Sequence, residues 1–342
     1  MQATGTGRPS RLAPPPLFRR EDAVSAPTTT PAAPPGTPAK PVRQLGDRVF
    51  AGTATGAGIL ILIVLAGVAA FLVAQAVPAF LAPAAELPGG RNIALYIGPL
   101  IFGTLLSAVI ALVIATPLGV AVALFITHYA PRRLAQGLGY VIDLLAAVPS
   151  IVYGLWGVAV LAPASLGFMT WLNTYFSWIP LFAGPVSATG RTMLVVGVTL
   201  AVMILPIITA VSREVFLQTP KLHEEAALAL GATRWEMIRM AVLPFGRSGI
   251  ISGAMLGLGR ALGETMAVAI ILSGSGLITF NLISSGNPSS IAANIALQFP
   301  DSTGVAVNVL IASGLVLFVI TLLVNSIARW IINRRREFSG AN

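Results

Sequence analysis

The chain has 342 residues, of which 56% are hydrophobic and 10% are charged, and its mean hydropathy is +0.85. Several apolar runs exceed the roughly 20 residues that a helix needs to cross a bilayer, so we expect a polytopic membrane protein and not a soluble domain. The formal charge of +9 lies in tails and loops without an aromatic platform, which argues against nucleic-acid binding. The sequence has no cysteine and only two histidines, far apart, so we expect neither thiol chemistry nor a metal site.

The N-terminal part of the chain is rich in proline. Residues 1 to about 48 hold ten prolines and seven Lys or Arg residues, a composition that predicts a disordered tail. This tail is too long and too proline-rich to begin a cleavable signal peptide, so we expect the first transmembrane helix, within residues 49–80, to remain in the mature chain. The apolar runs predict an all-α protein with six spans. Their approximate bounds are 51–77, 97–127, 138–161 with an interruption at Pro149, 193–211, 249–272 and 305–331.

The basic residues predict the orientation of these spans. Eighteen Lys or Arg residues lie in the two tails, in the loop of Arg132 and Arg133 and in the loop at 213–247, whereas only Arg91 and Arg191 lie in the loops of the other side. Positively charged loops tend to stay in the cytoplasm. We therefore expect a multi-pass protein of the cytoplasmic membrane with both termini in the cytoplasm, as an even number of spans also requires.

Two long loops are predicted on the outer side. Residues 163–190 carry spaced aromatic side chains, which are typical of an interfacial helix anchored at the lipid headgroups; a surface for an external partner is the alternative. Residues 274–303 are rich in Gly, Ser and Asn, and we expect them to form a polar cap that faces water.

The loop at residues 213–247, called the charged loop below, combines charge with helical periodicity. An apolar stripe predicts an amphipathic helix; its members are Leu222, Ala226 and Leu230. Gly231 is placed to terminate this helix in the left-handed conformation, and Thr233 with Glu236 forms the capping-box pattern of a second helix. Pro244 should break the chain before the fifth span. The residues alone leave two interpretations open, a hairpin on the membrane surface or a protein-docking element.

The fifth span carries two charges and two rows of glycine. Arg260 lies about 17 Å along the helix from Gly249, near the middle of the bilayer, where an arginine costs roughly 2.5–3.5 kcal/mol. Glu264 follows at i+4, so we expect the two charges to pair. A salt bridge with a packing role is one interpretation, and a place on a transport pathway is the other, which intramembrane charges favour. Rows of small residues predict close approach by another helix: Gly249, Gly253 and Gly257 form one row, and Gly259 and Gly263 form the other.

The chemistry of these residues indicates a path for an anion. A guanidinium offers a rigid fork of donors that matches a tetrahedral oxyanion, and Glu264 is placed to orient Arg260 when no substrate is bound. Thr265 and Ser150 are further candidates for the pathway, although Ser150 has an alternative role in satisfying the backbone groups that Pro149 frees. The sequence contains no G-x-x-x-x-G-K-[ST] motif, so any ATP hydrolysis must take place on a partner.

Two sets of motifs resemble those of a known family. The charged loop, with Glu225-Ala226-Ala227, Gly231 and Leu243-Pro244, resembles the EAA loop of ABC-importer permeases. The strings at 257–268, 143–157 and 116–120 closely resemble those of PstC-type permeases of phosphate importers. The resemblance covers about residues 94–335 and implies the MetI-like fold of type I importer permeases.

This resemblance also implies roles for particular residues. Arg260 and Glu264 would lie on the phosphate pathway, and the charged loop would be the coupling segment that contacts an ATPase. The residues assigned to coupling are Glu224, Glu225, Ala226, Ala227, Gly231 and Pro244.

The resemblance implies an assembly as well. A second, PstA-like permease subunit, an ATPase dimer and an extracytoplasmic phosphate-binding protein would complete the importer in a lipid membrane. The chain itself would be non-catalytic and hold no cofactor, with ATP and Mg used by the ATPase. The alternatives are a permease for another oxyanion such as sulfate, molybdate or phosphonate, an ATP-independent anion channel or transporter, and a scaffold or phosphate-signalling subunit.

Overall fold

The computed structural model describes residues 45–90 and 92–336. The chain divides into two units, residues 1–59 and 60–342. In the first unit, the described part is the opening of helix α1 (Leu45–Leu81), which begins three residues before the predicted end of the tail. Residues 1–44, Arg91 and residues 337–342 lie outside the described residues. The disorder predicted for the tail and the outer position predicted for Arg91 therefore remain predictions.

The described part of the second unit is built from helices joined by turns and loops. The helices that follow α1 are α2 (Ile93–Leu124), α3 (Arg132–Ala146), α4 (Ser150–Trp156), α5 (Ala162–Phe176), α6 (Met193–Leu217), α7 (Lys221–Ala229), α8 (Arg234–Met237), α9 (Leu243–Leu262), α10 (Met266–Ile271), α11 (Ile291–Gln298) and α12 (Val305–Arg336). Three π-helical turns extend α2, join α4 to α5 and join α8 to α9; they are Phe125–Tyr129, Gly157–Leu161 and Ile238–Val242.

Six helical segments among the described residues are long and apolar enough to cross a membrane. They are Gly46–Leu81, Ile93–Tyr129, Ser150–Phe176, Met193–Leu217, Arg234–Leu262 and Val305–Trp330. The prediction of an all-α protein with six membrane helices is therefore confirmed.

Helix α6 forms the centre of the bundle. It is apolar on nearly all sides, as expected for a helix enclosed by others, and its side chains at Leu200, Ile204 and Ile208 are fully buried. It packs against α2 and α9. The face of α2 in the core carries alanine at positions 108, 111 and 115, all completely buried, and such small residues let neighbouring helices approach closely.

The third span lies further along the chain than predicted. The sequence indicated residues 138–161, whereas the apolar helix runs over Ser150–Phe176 and α3 is a separate amphipathic helix. Pro149 is the N-cap of α4 and does not interrupt a span, because a proline that lacks an N–H is tolerated at a helix start. Trp171 and Tyr175 consequently lie in the last turns of this span, and Trp171 stacks on Phe168 with ring centroids 5.9 Å apart.

The fifth span also differs from the prediction. Helical structure continues from Arg234 to Leu262 through Pro244, which was expected to break the chain. The π-helical turn Ile238–Val242 directly precedes Pro244, and such a widened turn accommodates the missing hydrogen bond of a proline. The helix then ends at Leu262, ten residues before the predicted end of the span.

Part of the loop that was predicted to cap the bundle towards water is instead buried in it. Within residues 274–290, called the α10–α11 loop below, Ile283 and Asn287 are fully buried, whereas Leu277, Ile278 and Phe280 are exposed. The Asn287 side chain accepts a hydrogen bond from the Met193 amide at 3.0 Å, and the Leu282 amide donates to the Leu181 carbonyl at 2.8 Å. The predicted polar cap is wrong here, because asparagine side chains satisfy the buried irregular backbone.

Candidate functional site

The fifth span breaks at the place where the sequence predicts two paired charges. Helix α9 ends at Leu262, and α10 begins at Met266. Between them, the Gly263 amide donates to the Gly259 carbonyl at 3.4 Å and the Glu264 amide donates to the Ala261 carbonyl at 3.3 Å. These bonds close the last turn of α9, so Glu264 no longer lies one helical turn beyond Arg260.

Glu264 caps the second half of the broken span. Its side chain is only 7% exposed, and Oε1 accepts a hydrogen bond from the Ala267 amide at 3.1 Å. A carboxylate in this position satisfies an amide that has no partner within the helix and complements the positive end of the helix dipole. The capping interaction therefore fixes Glu264 at the start of α10.

Arg260 is left without that carboxylate. Among the described residues the structure contains no ion pair between Arg260 and Glu264, and the guanidinium forms no hydrogen bond with a side chain or carbonyl of this part of the chain. Arg260 is partly exposed on the last turn of α9, with Tyr153 in electrostatic range. The predicted pair is thus not formed, because the helix break removes the i, i+4 geometry. Within the part of the chain that the structure describes, the five N–H donors of the Arg260 guanidinium are therefore available to a ligand.

The two hydroxyl candidates lie on different elements, Thr265 within the break and Ser150 at the start of α4. Thr265 follows Glu264, and its Oγ1 donates to the Gly263 carbonyl at 3.2 Å. Ser150 opens α4, which packs beside α10: a Cβ added at Gly154 would lie 2.8 Å from Cα of Ala267. Contacts between α4 and α10 advance along both helices in the same direction, which puts Ser150 at the level of the break.

Arg191 is a further residue that contacts the outer half of the broken span, at the end of α10 away from the break, and no pattern in the sequence indicates its role. It precedes α6, and its guanidinium donates to two carbonyls at the end of α10, from Nε to Ile271 at 2.9 Å and from Nη2 to Ile270 at 2.5 Å. The sequence identified it only as a loop arginine on the less basic side. Its partners are 79 and 80 residues away in sequence. Because the acceptors are backbone carbonyls, the contact requires no particular side chains and no sequence pattern indicates it.

The charged loop folds as the local sequence predicts. Helix α7 ends before Gly231, whose φ of 86° is left-handed, and the Ala232 amide donates back to the Ala227 carbonyl at 3.2 Å. The capping box is present, since the Thr233 amide donates to Glu236 Oε2 at 2.8 Å and the Glu236 amide donates to Thr233 Oγ1 at 3.3 Å. The helix termination and capping predictions are confirmed.

The two glutamates of α7 have different surroundings. Glu224 Oε1 lies 3.6 Å from Nε2 of His128, a residue of the π-helical turn that follows α2. Thr127 Oγ1 lies 2.7 Å from Nδ1 of the same His128 ring. Glu225 and Ala226 are exposed, whereas Ala227 packs against a small core beneath the helix. Glu224 therefore connects α7 to α2, and Glu225 is free to contact another molecule.

Three large apolar residues of α7, α8 and the turn between them are exposed in the part of the chain that the structure describes. Leu230 is 90% exposed and Leu222 is 73% exposed, and Trp235 on α8 is also mostly exposed. Large apolar groups that cluster on one surface beside charged residues are typical of a contact site for another protein. This favours the protein-docking interpretation of the loop.

The glycine rows of α9 differ in their packing. A Cβ added at Gly253 would lie 3.2 Å from Val211, and one added at Gly257 would lie 3.2 Å from Ile208; Gly249 meets Val215 more closely still. This row lets α9 approach α6, as predicted. A Cβ at Gly259 would meet nothing within 4 Å, and Gly263 is exposed, so in the described part of this chain the second row is not packed against another helix as the first row is.

Comparison with known proteins agrees with this architecture. The chain has six helices long enough to cross a membrane, a broken fifth span and two short helices, α7 and α8, between the fourth and fifth spans, as expected for a multi-pass membrane component of a transport system. Residues 115–337 match the family of binding-protein-dependent transport system inner membrane components, and the chain belongs to this family.

Individual relatives extend this comparison. The phosphate transport system permease protein PstC 2 of Mycobacterium tuberculosis is 46% identical over 302 residues, which cover 85% of this chain and 92% of that protein. The corresponding PstC protein of Mesorhizobium japonicum is 39% identical over 308 residues, covering 87% and 93%. A solved bacterial ABC transporter involved in the import of the acidic polysaccharide alginate has a chain that superposes with a TM-score of 0.58 at 17% identity, covering 84% of this chain and 96% of that one. At this identity the last likeness concerns the fold alone.

Proposed function

We propose that this chain is the membrane subunit of an ATP-driven importer that moves inorganic phosphate across the cytoplasmic membrane. The observation that carries the proposal is the free guanidinium of Arg260 at the break of a membrane span. The names of relatives that are 39–47% identical over most of the chain support phosphate as the substrate. Sulfate, molybdate and phosphonate present similar oxygens and are the competing substrates.

The substrate site is centred on Arg260. Two N–H groups of its fork bind two oxygens of phosphate, and the hydroxyl group of Ser150 adds a donor. The hydroxyl group of Thr265 adds another once its bond to the Gly263 carbonyl is exchanged for one to phosphate. Glu264 keeps the break in place by capping α10. Its negative charge also limits the affinity for an anion, which suits a pathway that must release its substrate.

The charged loop couples transport to ATP hydrolysis by the ATPase. The exposed face of α7, with Glu225, Leu222 and Leu230, binds a groove of a cytoplasmic ATPase, which uses ATP and Mg and hydrolyses the nucleotide. Movement of α7 reaches the second span through the Glu224–His128 contact. This chain is the non-catalytic subunit in that cycle.

The remaining partners follow from the family. A second, PstA-like permease forms the other half of the pathway, a second ATPase completes the dimer, and an extracytoplasmic binding protein delivers phosphate to the outer face. The bias of basic residues supports cytoplasmic termini and a cytoplasmic charged loop. No cofactor is assigned to this chain.

Uptake of labelled phosphate into proteoliposomes that contain the whole importer tests the proposal. Arg260→Gln should lower ATP-dependent uptake by about a hundredfold or more, because each of two hydrogen bonds to a charged group contributes ~1.5–3 kcal/mol. Arg132→Gln is the matched control, since Arg132 is exposed at the start of α3, and its uptake should equal that of the unchanged protein.

Three results would contradict parts of the proposal. Near-normal uptake by Arg260→Gln would remove Arg260 from the pathway. Preferential uptake of sulfate, molybdate or a phosphonate would replace phosphate as the substrate. Equal uptake with and without ATP would indicate a channel or a secondary transporter.

A further inference from the structure

The outer half of the fifth span is a very short helix with a charged group at each end. Helix α10 has six residues and a length of about 9 Å, so most of its amides and carbonyls have no partner within the helix. Glu264 accepts from the Ala267 amide at one end, and Arg191 donates to the Ile270 and Ile271 carbonyls at the other. An anion at the N-terminus and a cation at the C-terminus both complement the helix dipole.

From this arrangement we infer that Arg191 is a positioning residue for the substrate pathway. It holds α10 at one position along the helix axis, and through α10 it holds the break beside Arg260 and Glu264 in place. The inference rests on the proposed function for its meaning in transport, but the positional effect is measurable without transport. Arg191 itself lies at the far end of α10 from the break and does not contact the substrate.

The contacts of α10 explain why a fixed position requires such an anchor. On the side of α4, Gly154 and Gly157 let Ala267 and Ile271 approach closely. On the side of the break, the Gly263 and Glu264 amides donate to carbonyls of α9, but among the described residues no backbone hydrogen bond joins α10 itself to α9. The two hydrogen bonds from Arg191 add a polar anchor at the end of α10 to the packing of its buried side chains at Ala267, Val268 and Ile271.

Arg191 is well suited to this role because its own position is fixed. Thr192, the next residue, caps α6 by accepting from the Val195 amide at 3.4 Å, and the Met193 amide is held by Asn287 at 3.0 Å. The central helix of the bundle thus provides the anchor, and the rigid fork of the guanidinium reaches two neighbouring carbonyls at once.

Thiol labelling in membranes that contain the full chain tests the inference, because the chain has no native cysteine. One reporter is Gly263→Cys at the break, where a Cβ has ordinary clearance of 3.7 Å. The second is Ser252→Cys, an exposed position on α9 before the break. Each reporter is combined with Arg191→Gln or Arg191→Lys, and the rate of reaction with a small water-soluble thiol reagent is measured.

Arg191→Gln should change the labelling rate at Gly263→Cys by about tenfold, the factor expected for loss of a charge-assisted hydrogen bond. The rate at Ser252→Cys should stay the same. Arg191→Lys keeps the cation but not the fork, so its rate at Gly263→Cys should lie between those of the unchanged protein and Arg191→Gln.

An unchanged rate at Gly263→Cys in Arg191→Gln would overturn the inference, and equal changes at both reporters would reduce Arg191 to a general structural role. Phosphate uptake by the same Arg191 variants is measured separately in the whole importer. If the importer does not take up phosphate, the proposed function is overturned but the labelling result still stands. Failure of the proposed function and failure of the inference about Arg191 are therefore distinguishable.

Discussion

Replacing glycine by alanine at two positions of α9 gives opposite changes in stability. In a helix interior, alanine is favoured over glycine by roughly 0.5–1 kcal/mol, and this gain applies equally to Gly249→Ala and Gly259→Ala. At Gly259 the added Cβ meets nothing within 4 Å, so we expect a small net stabilisation. At Gly249 the Cβ overlaps the side chain of Val215.

The loss of stability expected for Gly249→Ala follows from the position of Val215. Val215 is β-branched and has one strongly preferred rotamer in a helix, so the clash must be relieved by moving α9 away from α6, at a cost of about 1–3 kcal/mol for overpacking. The two variants should therefore differ by about that amount, with Gly249→Ala the less stable. Thermal unfolding of the purified chain in mild detergent, followed by the loss of monodisperse protein, measures the difference. Equal shifts in the same direction would refute the packing assigned to the first glycine row.

The charged loop supports two further predictions. Gly231→Val forces a β-branched residue into a φ of 86°, at a cost of roughly 1–2 kcal/mol; the end of α7 should shift, and ATP-dependent uptake should fall although the protein still inserts, which surface labelling checks. Normal uptake would remove this loop from coupling. Glu224→Gln removes the charge beside His128 but leaves Glu225 unchanged, so ATPase binding should persist while uptake per ATP hydrolysed decreases; unaltered stoichiometry would argue against transmission through that contact.

Local sequence patterns predicted the parts of the site that local interactions determine. Gly231 and the Thr233–Glu236 box lie within a few residues of their partners, and the structure contains both as expected. The glycine row facing α6 was predictable for a similar reason, because a period of four marks one face of a helix. The partner helix itself was not predictable from that row.

The parts that failed depend on contacts between distant residues or on competing local choices. The pairing of Arg260 with Glu264 assumed a continuous helix, but capping of the Ala267 amide by Glu264 competes with that helix and ends it. Pro244 was expected to break the fifth span, and a π-helical turn, which has no marked sequence pattern, absorbs it instead. Arg191 binds backbone carbonyls about 80 residues away, and no side-chain pattern reports such a contact.

The α10–α11 loop and the start of α11 also have a consequence for the order in which the protein is made. The Met193 amide is paired by Asn287, 94 residues later in the chain, and Thr104 accepts from the Ile291 amide, 187 residues later. Proteins are synthesised from the N-terminus, so the second and fourth spans enter the bilayer well before the residues that complete their polar contacts exist. A chain that stops before residue 281 would keep most of its spans and lack the segment that locks them together, and it should be a preferred target for membrane proteases.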